Sequence, residues 1–416
     1  MTRRFGVWFH RWVGLTMTVF LVITGLTGSL LAFTDELNRA VTPDLFPPAQ
    51  SGVSLDMATL AERAEELAPQ ARTNSIYVGT PGTVIVQMDA RPPVTGSASY
   101  SLPFNQLFLD PIKGTELGRR HAGTYMGTGM PTGSDNLVPF VYRLHYNLSL
   151  QQFGKYVLGI TALLWTLDCF VSAYLTFPAT GRKQSVEIAD RPTPSFWSRW
   201  KPAWLVKWQA SSYRINFDLH RAGGLWCWLA LLIFAWSSVY MNLHKEVYAP
   251  TTRLVTDYPL RYWELPVGTT HLDQPKLSWQ QALAVGDRHW KEQSQLLGFR
   301  IESPVSLRLD RARGLYVYAI RTSRDIQERQ VRSRLAFDVD TGQLMYLEIP
   351  TGQHTGLTVT MWLAALHDAD VAILGLPYRI FVCVLGLVVT MLSVTGVYIW
   401  WKKRKSRLQS QLRRKK

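Results

Sequence analysis

Four of the nine histidines fall into two repeated pairs. His10-Arg11-Trp12-Val13-Gly14-Leu15 and His220-Arg221-Ala222-Gly223-Gly224-Leu225 lie 210 residues apart. Leu144-His145 and Leu366-His367 lie 222 residues apart. Neutral imidazole is a ready axial ligand for haem iron, and a histidine from each of two facing helices makes a six-coordinate electron carrier between apolar walls. A lone histidine at a membrane boundary reads as an interfacial anchor, but two repeated pairs give a paired-histidine membrane protein, each pair of a kind that could seat a haem b. His10 and His220 are the expected iron ligands of one, and His145 and His367 of the other. His244 has no repeat counterpart, because the equivalent position is Thr34. It stands as the substitute if the second pairing is otherwise. Each paired histidine has an arginine nearby: Arg11, Arg221, Arg143 and Arg379. A guanidinium fork suits haem propionates, and it suits lipid headgroups equally well.

Such histidines need helices to hold them, and the chain offers four long apolar runs. Trp12–Phe33, Ala222–Leu243 and Ile380–Trp401 contain no charged residue, and Tyr156–Phe177 contains one, Asp168. Each run of 22 residues is long enough to cross a hydrocarbon core of about 30 Å. Trp and Tyr gather at their ends (Trp8, Trp12, Tyr240, Tyr398, Trp400, Trp401), as interfacial belts do. The first run is too long for a signal-peptide core, and Phe33-Thr34-Asp35 is no cleavage site, so it reads as an uncleaved anchor.

The charge sets the orientation. The chain of 416 residues has 45 Lys+Arg against 30 Asp+Glu, a formal +15. Segments 1–9, 178–217 and 402–416 hold 18 basic and 2 acidic residues; the rest of the chain holds 27 and 28. By the positive-inside rule those three segments, with both termini, are cytoplasmic, and they meet anionic membrane lipid. The basic excess is therefore topology, and no nucleic-acid partner is expected. The three cysteines, Cys169, Cys227 and Cys383, all fall inside apolar runs, so no disulfide framework is implied.

The organisation that follows is a cytoplasmic N-terminus 1–9, a span in 10–34, an exported domain 35–137, and a Leu-His segment with its span in 138–177. A basic loop 178–217 comes next, then a span in 218–243, a second exported domain 244–353, a Leu-His segment with its span in 354–401, and a tail 402–416. Spans one and three both run outward, so this is a parallel duplication. Asp110 with Gly114 and Asp338 with Gly342 mark equivalent turns 228 residues apart. In each exported domain a helical pattern (54–68, 277–290) precedes strand-like runs. These are Ser75–Val78, Thr83–Met88 and Gln106–Leu109, then Val305–Leu309, Leu315–Ile320 and Arg334–Val339. The fold class is an α-helical integral membrane protein, four transmembrane helices in a parallel internal duplication, with two exported α+β domains.

Other residues are less decisive. Asp168, an acid within a span, reads as proton handling or a haem-edge contact, or else as a polar bond to Thr161, Thr166 or Ser172. Gly14, Gly25, Gly28, Gly223, Gly224, Gly386 and Gly396 permit close approach, either of a flat macrocycle or of another helix. His121, followed by Met126 and Met130, lies in a Gly-rich loop. His289 sits on an amphipathic helix and reads as structural, and His271 and His354 carry no pattern. No phosphate-binding loop, zinc-protease motif or dinucleotide fingerprint is present.

The assembled motifs resemble the PepSY-associated transmembrane family over nearly the whole chain. Its carriers are His10-Arg11 through Gly14-Leu15, Tyr142-Arg143-Leu144-His145-Tyr146-Asn147-Leu148, Asn216 to Gly224, the Asp110 and Asp338 turns, and Leu366-His367 with Gly386 and Gly396. Asp368-Ala369-Asp370 stands where the family has a Gly-rich run. The resemblance implies a bacterial inner-membrane protein with PepSY-like exported domains, linked to iron uptake. It implies a haem-dependent oxidoreductase that reduces a ferric siderophore with electrons from an external donor, a quinol or a cytoplasmic reductase. A non-enzymatic module that regulates a peptidase or senses the envelope is the alternative, as is an electron conduit to a partner reductase.

Overall fold

The computed structural model describes residues 2–91, 102–122, 133–179, 194–268 and 274–414. The Met126–Met130 stretch and His271 lie outside them. In chain order the elements begin with helices α1 (Arg3–Leu31), α2 (Thr34–Val41) and α3 (Met57–Leu67). Strands β1 (Ala71–Thr80), β2 (Thr83–Ala90), β3 (Gln106–Leu109) and β4 (Glu116–Arg120) follow. Then come α4 (Leu137–Asn147), α5 (Gln151–Thr176), α6 (Phe196–Trp200), α7 (Ser212–Trp226), α8 (Trp228–Asn242), α9 (Ala249–Val255) and α10 (Trp279–Leu297). The chain continues through β5 (Ile301–Asp310), β6 (Leu315–Thr322), β7 (Arg334–Asp338) and β8 (Leu344–Glu348) and ends with α11 (Thr355–His367) and α12 (Gly375–Arg413). These form two units. A helical unit takes residues 1–32, 142–248 and 379–416, and an α/β unit takes 33–141 and 249–378.

Among the described residues, α1, α5 and α12 are each long and apolar enough to cross a membrane. The helices α7 and α8 qualify only together, and they are bent by 69° where they meet. The sequence reads this stretch as one unbroken span. The break falls at Cys227, between two tryptophans held by different elements. The Trp226 indole donates to the Trp204 carbonyl (3.1 Å) and the Trp228 indole to the Cys169 carbonyl (2.8 Å). The adjacent Gly223-Gly224 pair lowers local helix stability.

Two helix backbones approach closely where α1 crosses α12. A Cβ on Gly25 would lie 2.7 Å from the Gly386 carbonyl oxygen, and one on Gly386 would lie 2.5 Å from that of Gly25. Ser29 Oγ stands 2.8 Å from the Cys383 carbonyl, within donating distance. Small residues here let the helices touch and exchange a hydrogen bond.

The α/β unit is built on one antiparallel eight-stranded sheet, in the order β4-β3-β2-β1-β5-β6-β7-β8. Two helix-plus-meander halves join through β1 and β5, with Ser75 opposite Arg308, Ile76 opposite Leu307 and Tyr77 opposite Ser306. The sequence reading gives two separate small layers; the structure fuses them. It also adds β4 and β8, whose alternation is too short to stand out. All six expected strand runs lie within or along observed strands. One sheet face packs Ile76, Val86, Leu107, Leu307, Tyr318 and Phe337 into a common core with α3 and α10. The Asp110 and Asp338 turns form as their residues require. Each carboxylate accepts two backbone N–H bonds, and Gly114 (φ 63°) and Gly342 (φ 71°) take the left-handed position.

Candidate functional site

His10, on α1, and His220, on α7, come together. Their ring centres are 6.0 Å apart, tilted by 56°. An imidazole nitrogen sits about 2 Å from a bound metal and roughly 1 Å from its own ring centre. Two imidazoles sharing one metal in line therefore have centres about 6 Å apart.

The protons on these rings are fixed by their partners. His10 Nδ1 donates to both oxygens of Asp168, at 3.0 and 2.9 Å. A carboxylate can only accept, so Nδ1 carries the hydrogen. His220 Nδ1 donates to the Leu392 carbonyl (3.0 Å) and lies 3.2 Å from Thr395 Oγ1. A carbonyl likewise only accepts. The Thr395 hydroxyl spends its own hydrogen on the Met391 carbonyl at 2.7 Å, so it too accepts from the ring. In the neutral form each ring is left with its Nε2 lone pair, the state a metal ligand needs.

Thr161, Thr166 and Ser172 do not hold Asp168. Their hydroxyls donate to the Val157, Ala162 and Cys169 carbonyls of their own helix. Asp168 is a buried carboxylate that orients a histidine.

One turn along from each histidine stands a glycine with room beside it. A Cβ on Gly14 or on Gly224 would meet no described atom within 4 Å. Residues four apart share a helix face, so open space adjoins both imidazoles on their own helices. Among the described residues no group of three or more His, Cys, Asp or Glu side chains could hold a metal ion. A two-imidazole site with open space beside it suits a group that brings its own in-plane donors, as haem does.

His145, on α4, is seated in a similar way. Its Nδ1 lies 3.1 Å from Thr27 Oγ1, whose hydrogen goes to the Ile23 carbonyl at 2.6 Å, so the ring donates. A Cβ on Gly28 would lie 3.0 Å from His145 Cε1, and one on Gly396 would lie 3.2 Å from His220 Cε1. Each histidine thus rests on a Thr-Gly pair, Thr27-Gly28 on α1 and Thr395-Gly396 on α12. The turn after α4 puts Leu148, Ser149 and Gln151 at φ of 54–55°, an uncommon conformation for residues other than glycine, and ends the helix two residues past His145.

The remaining expected residues are placed as follows. His244 is buried in the helical unit beside Tyr240 and Tyr248. His367 ends α11 in the α/β unit. Arg379 Nε donates to the Ala32 carbonyl at 2.8 Å, and Arg143 is buried. Arg221 donates to Pro202 and to the fully buried Asp218, which also pairs with Arg214. Part of its fork is therefore committed to the fold. Arg11 adjoins His10 on α1. Of the lesser histidines, His289 bonds the Gly342 carbonyl and ties α10 to the Asp338 turn, while His354 pairs with Asp257. His121 is exposed.

Sequence reasoning did not find the two threonines. The recurring Thr-Gly dipeptide on two apolar runs was the available signal. It also left Asp368-Ala369-Asp370 unexplained. Asp370 accepts backbone N–H bonds from Glu328, Arg329 and Gln330, and Asp368 accepts from Gln327 and Arg332. The acidic run pins the β6–β7 loop.

Several long apolar helices, beside a mixed helix-and-antiparallel-sheet unit, mark a multi-pass membrane protein. The chain belongs to the family described as the PepSY-associated TM region, whose model matches residues 7–403. No curated protein matches it.

Proposed function

We propose that this protein is a di-haem inner-membrane reductase. It passes single electrons from an external donor, a quinol or a cytoplasmic reductase, to a ferric siderophore held by the α/β unit. The observation that carries the reading is the His10–His220 pair: ring centres at 6.0 Å, each Nδ1 bound to an acceptor, each helix open at the glycine four residues on. Haem bound there supplies one-electron transfer. The chain's own part is to fix the imidazole tautomers and exclude water. Siderophore Fe(III) takes one electron and becomes Fe(II), which hard oxygen donors hold less well, so the metal is released. The transfer is outer-sphere and needs no general acid or base.

In this reading α7 and α8 together form one span, four spans repeat in parallel, and the termini are cytoplasmic. The concentration of 18 of 45 basic residues in segments 1–9, 178–217 and 402–416 supports that orientation. His145 belongs to the second site, and haem content of His367→Ala and His244→Ala variants decides which histidine completes it.

The test is a pyridine haemochrome assay on purified protein, with two haems per chain expected. His220→Ala and His145→Ala each remove about one, since each site loses a ligand. A preparation with no Soret band defeats the redox reading. A reduced protein that ferric siderophores fail to reoxidise points to a conduit serving a partner reductase.

A further inference from the structure

We propose that the centre of the eight-stranded sheet, on the face turned away from α3 and α10, binds an anionic, oxygen-rich metal chelate. That face is covered at both flanks and open between them. Leu45 and Phe46 pack over Phe108 and Ile85 at one flank. Tyr262 and Leu265 pack over Leu315, Val317 and Ala336 at the other. Between these caps lies a cleft of about 420 Å³ at the β1–β5 seam, a size usual for small-molecule sites. Neither half of the sheet contains it alone.

Its lining combines polar, cationic and apolar groups. Ser75, Gln87, Gln106 and Ser306 supply hydroxyl and amide donors, Arg308 and Arg334 supply charge, and Ile85, Val317 and Val331 supply apolar surface; no acid lines it among the described residues. Arg334 is held from the side by its cross-strand neighbour, buried Glu348, at 3.3 Å. Burial alone would raise the Glu348 carboxyl, but Arg334 and Arg261 hold it below its usual range, so it stays charged. Arg308 is the more available cation. It is half-exposed, lies over the Tyr262 ring at 5.3 Å, and stands 3.8 Å from Asp310. That carboxylate contact is too long for a hydrogen bond.

One wall is preformed. Val331 lines the cleft from the β6–β7 loop. Tyr77 of β1 donates to the Arg329 carbonyl at 3.1 Å. Asp370 fixes the same loop through three backbone N–H groups, and Asp325 accepts from Thr322, Arg332 and Ser333. A rigid wall lowers the ordering cost of binding. Arginine forks with amide and hydroxyl donors recognise carboxylate or similar oxygens. The choice of a metal chelate over a free carboxylate rests on the reductase reading.

Calorimetric titration of the detergent-solubilised full chain with gallium(III) citrate tests the site. Gallium(III) imitates ferric iron and takes no electron, so this titration fails only with the site, whereas the haem assay fails only with the redox reading. Saturable binding is expected. Arg308→Glu should weaken it at least tenfold, and Ser306→Trp, which fills the floor, should abolish it. Arg63→Glu, at an exposed position of α3 across the sheet, should leave it unchanged. Absence of saturable binding overturns the proposal, as does wild-type affinity in both cleft variants. Equal binding of citrate without gallium overturns the chelate as the occupant.

Discussion

His220 and His145 sit on the same small device, and His10 does not. In the first two, a threonine hydroxyl on a neighbouring helix accepts from Nδ1, and the glycine after it makes room for the ring edge. Both acceptors are neutral. His10 donates instead to the buried carboxylate of Asp168 on α5. These three histidines of the helical unit are thus held by one repeated neutral seat and one anionic one. A carboxylate behind an imidazole makes it a stronger electron donor to a bound metal. On the haem reading proposed above, the carboxylate behind His10 lowers the potential of the site that His10 shares with His220.

The largest expected effect separates a glycine that faces open space from one that faces a ring. A Cβ at Gly224 would meet no described atom within 4 Å, and Gly224→Leu favours helix by about 1 kcal/mol. It should remove about one haem of two while the melting temperature holds or rises. Retention of both haems by this variant, read by haemochrome assay, would break the link between that open space and the cofactor. Gly28→Leu should also cost a haem, but with lower stability, because the side chain must displace His145.

A smaller effect sharpens the contrast in charge. Asp168→Asn keeps an acceptor for His10 Nδ1 and removes the negative charge. Metal second-shell changes are worth tenfold to a hundredfold, and tenfold for one electron is about 60 mV. One midpoint potential should rise by roughly 60–120 mV, and the other should hold. Spectropotentiometric titration reads both. Two potentials that move together, or neither moving, would mean that Asp168 only braces the bundle.

The sequence carried the nearness of His10 to His220 through the internal repeat that marks both, and it carried the two aspartate turns and most strands because these rest on local spacing. It did not carry the partners. Asp168 is 158 residues from His10 and Thr395 is 175 from His220, so only the packing of α5 and α12 reveals them. The fused sheet was hidden for the same reason. The run Ser75 to Val78 reads as a strand, but nothing within it says that its neighbour is Val305 to Leu309 rather than solvent. The bend at Cys227 was masked by a continuous apolar run, which hydropathy alone reads as one helix.

The smallest effect tests whether the neutral seat is tuned or merely tidy. Thr395→Val removes one of two acceptors from His220 and leaves the Leu392 carbonyl, which by itself keeps the hydrogen on Nδ1. A neutral hydrogen bond is worth about 1 kcal/mol, less than a tenfold change, so the shift in potential should stay below about 60 mV. Haem content should be unchanged. Thr27→Val should likewise leave haem content unchanged and shift the other potential by less than about 60 mV, since Thr27 is a neutral acceptor of the same kind on His145 Nδ1. A response to Thr395→Val as large as that to Asp168→Asn would erase the distinction between anionic and neutral seats.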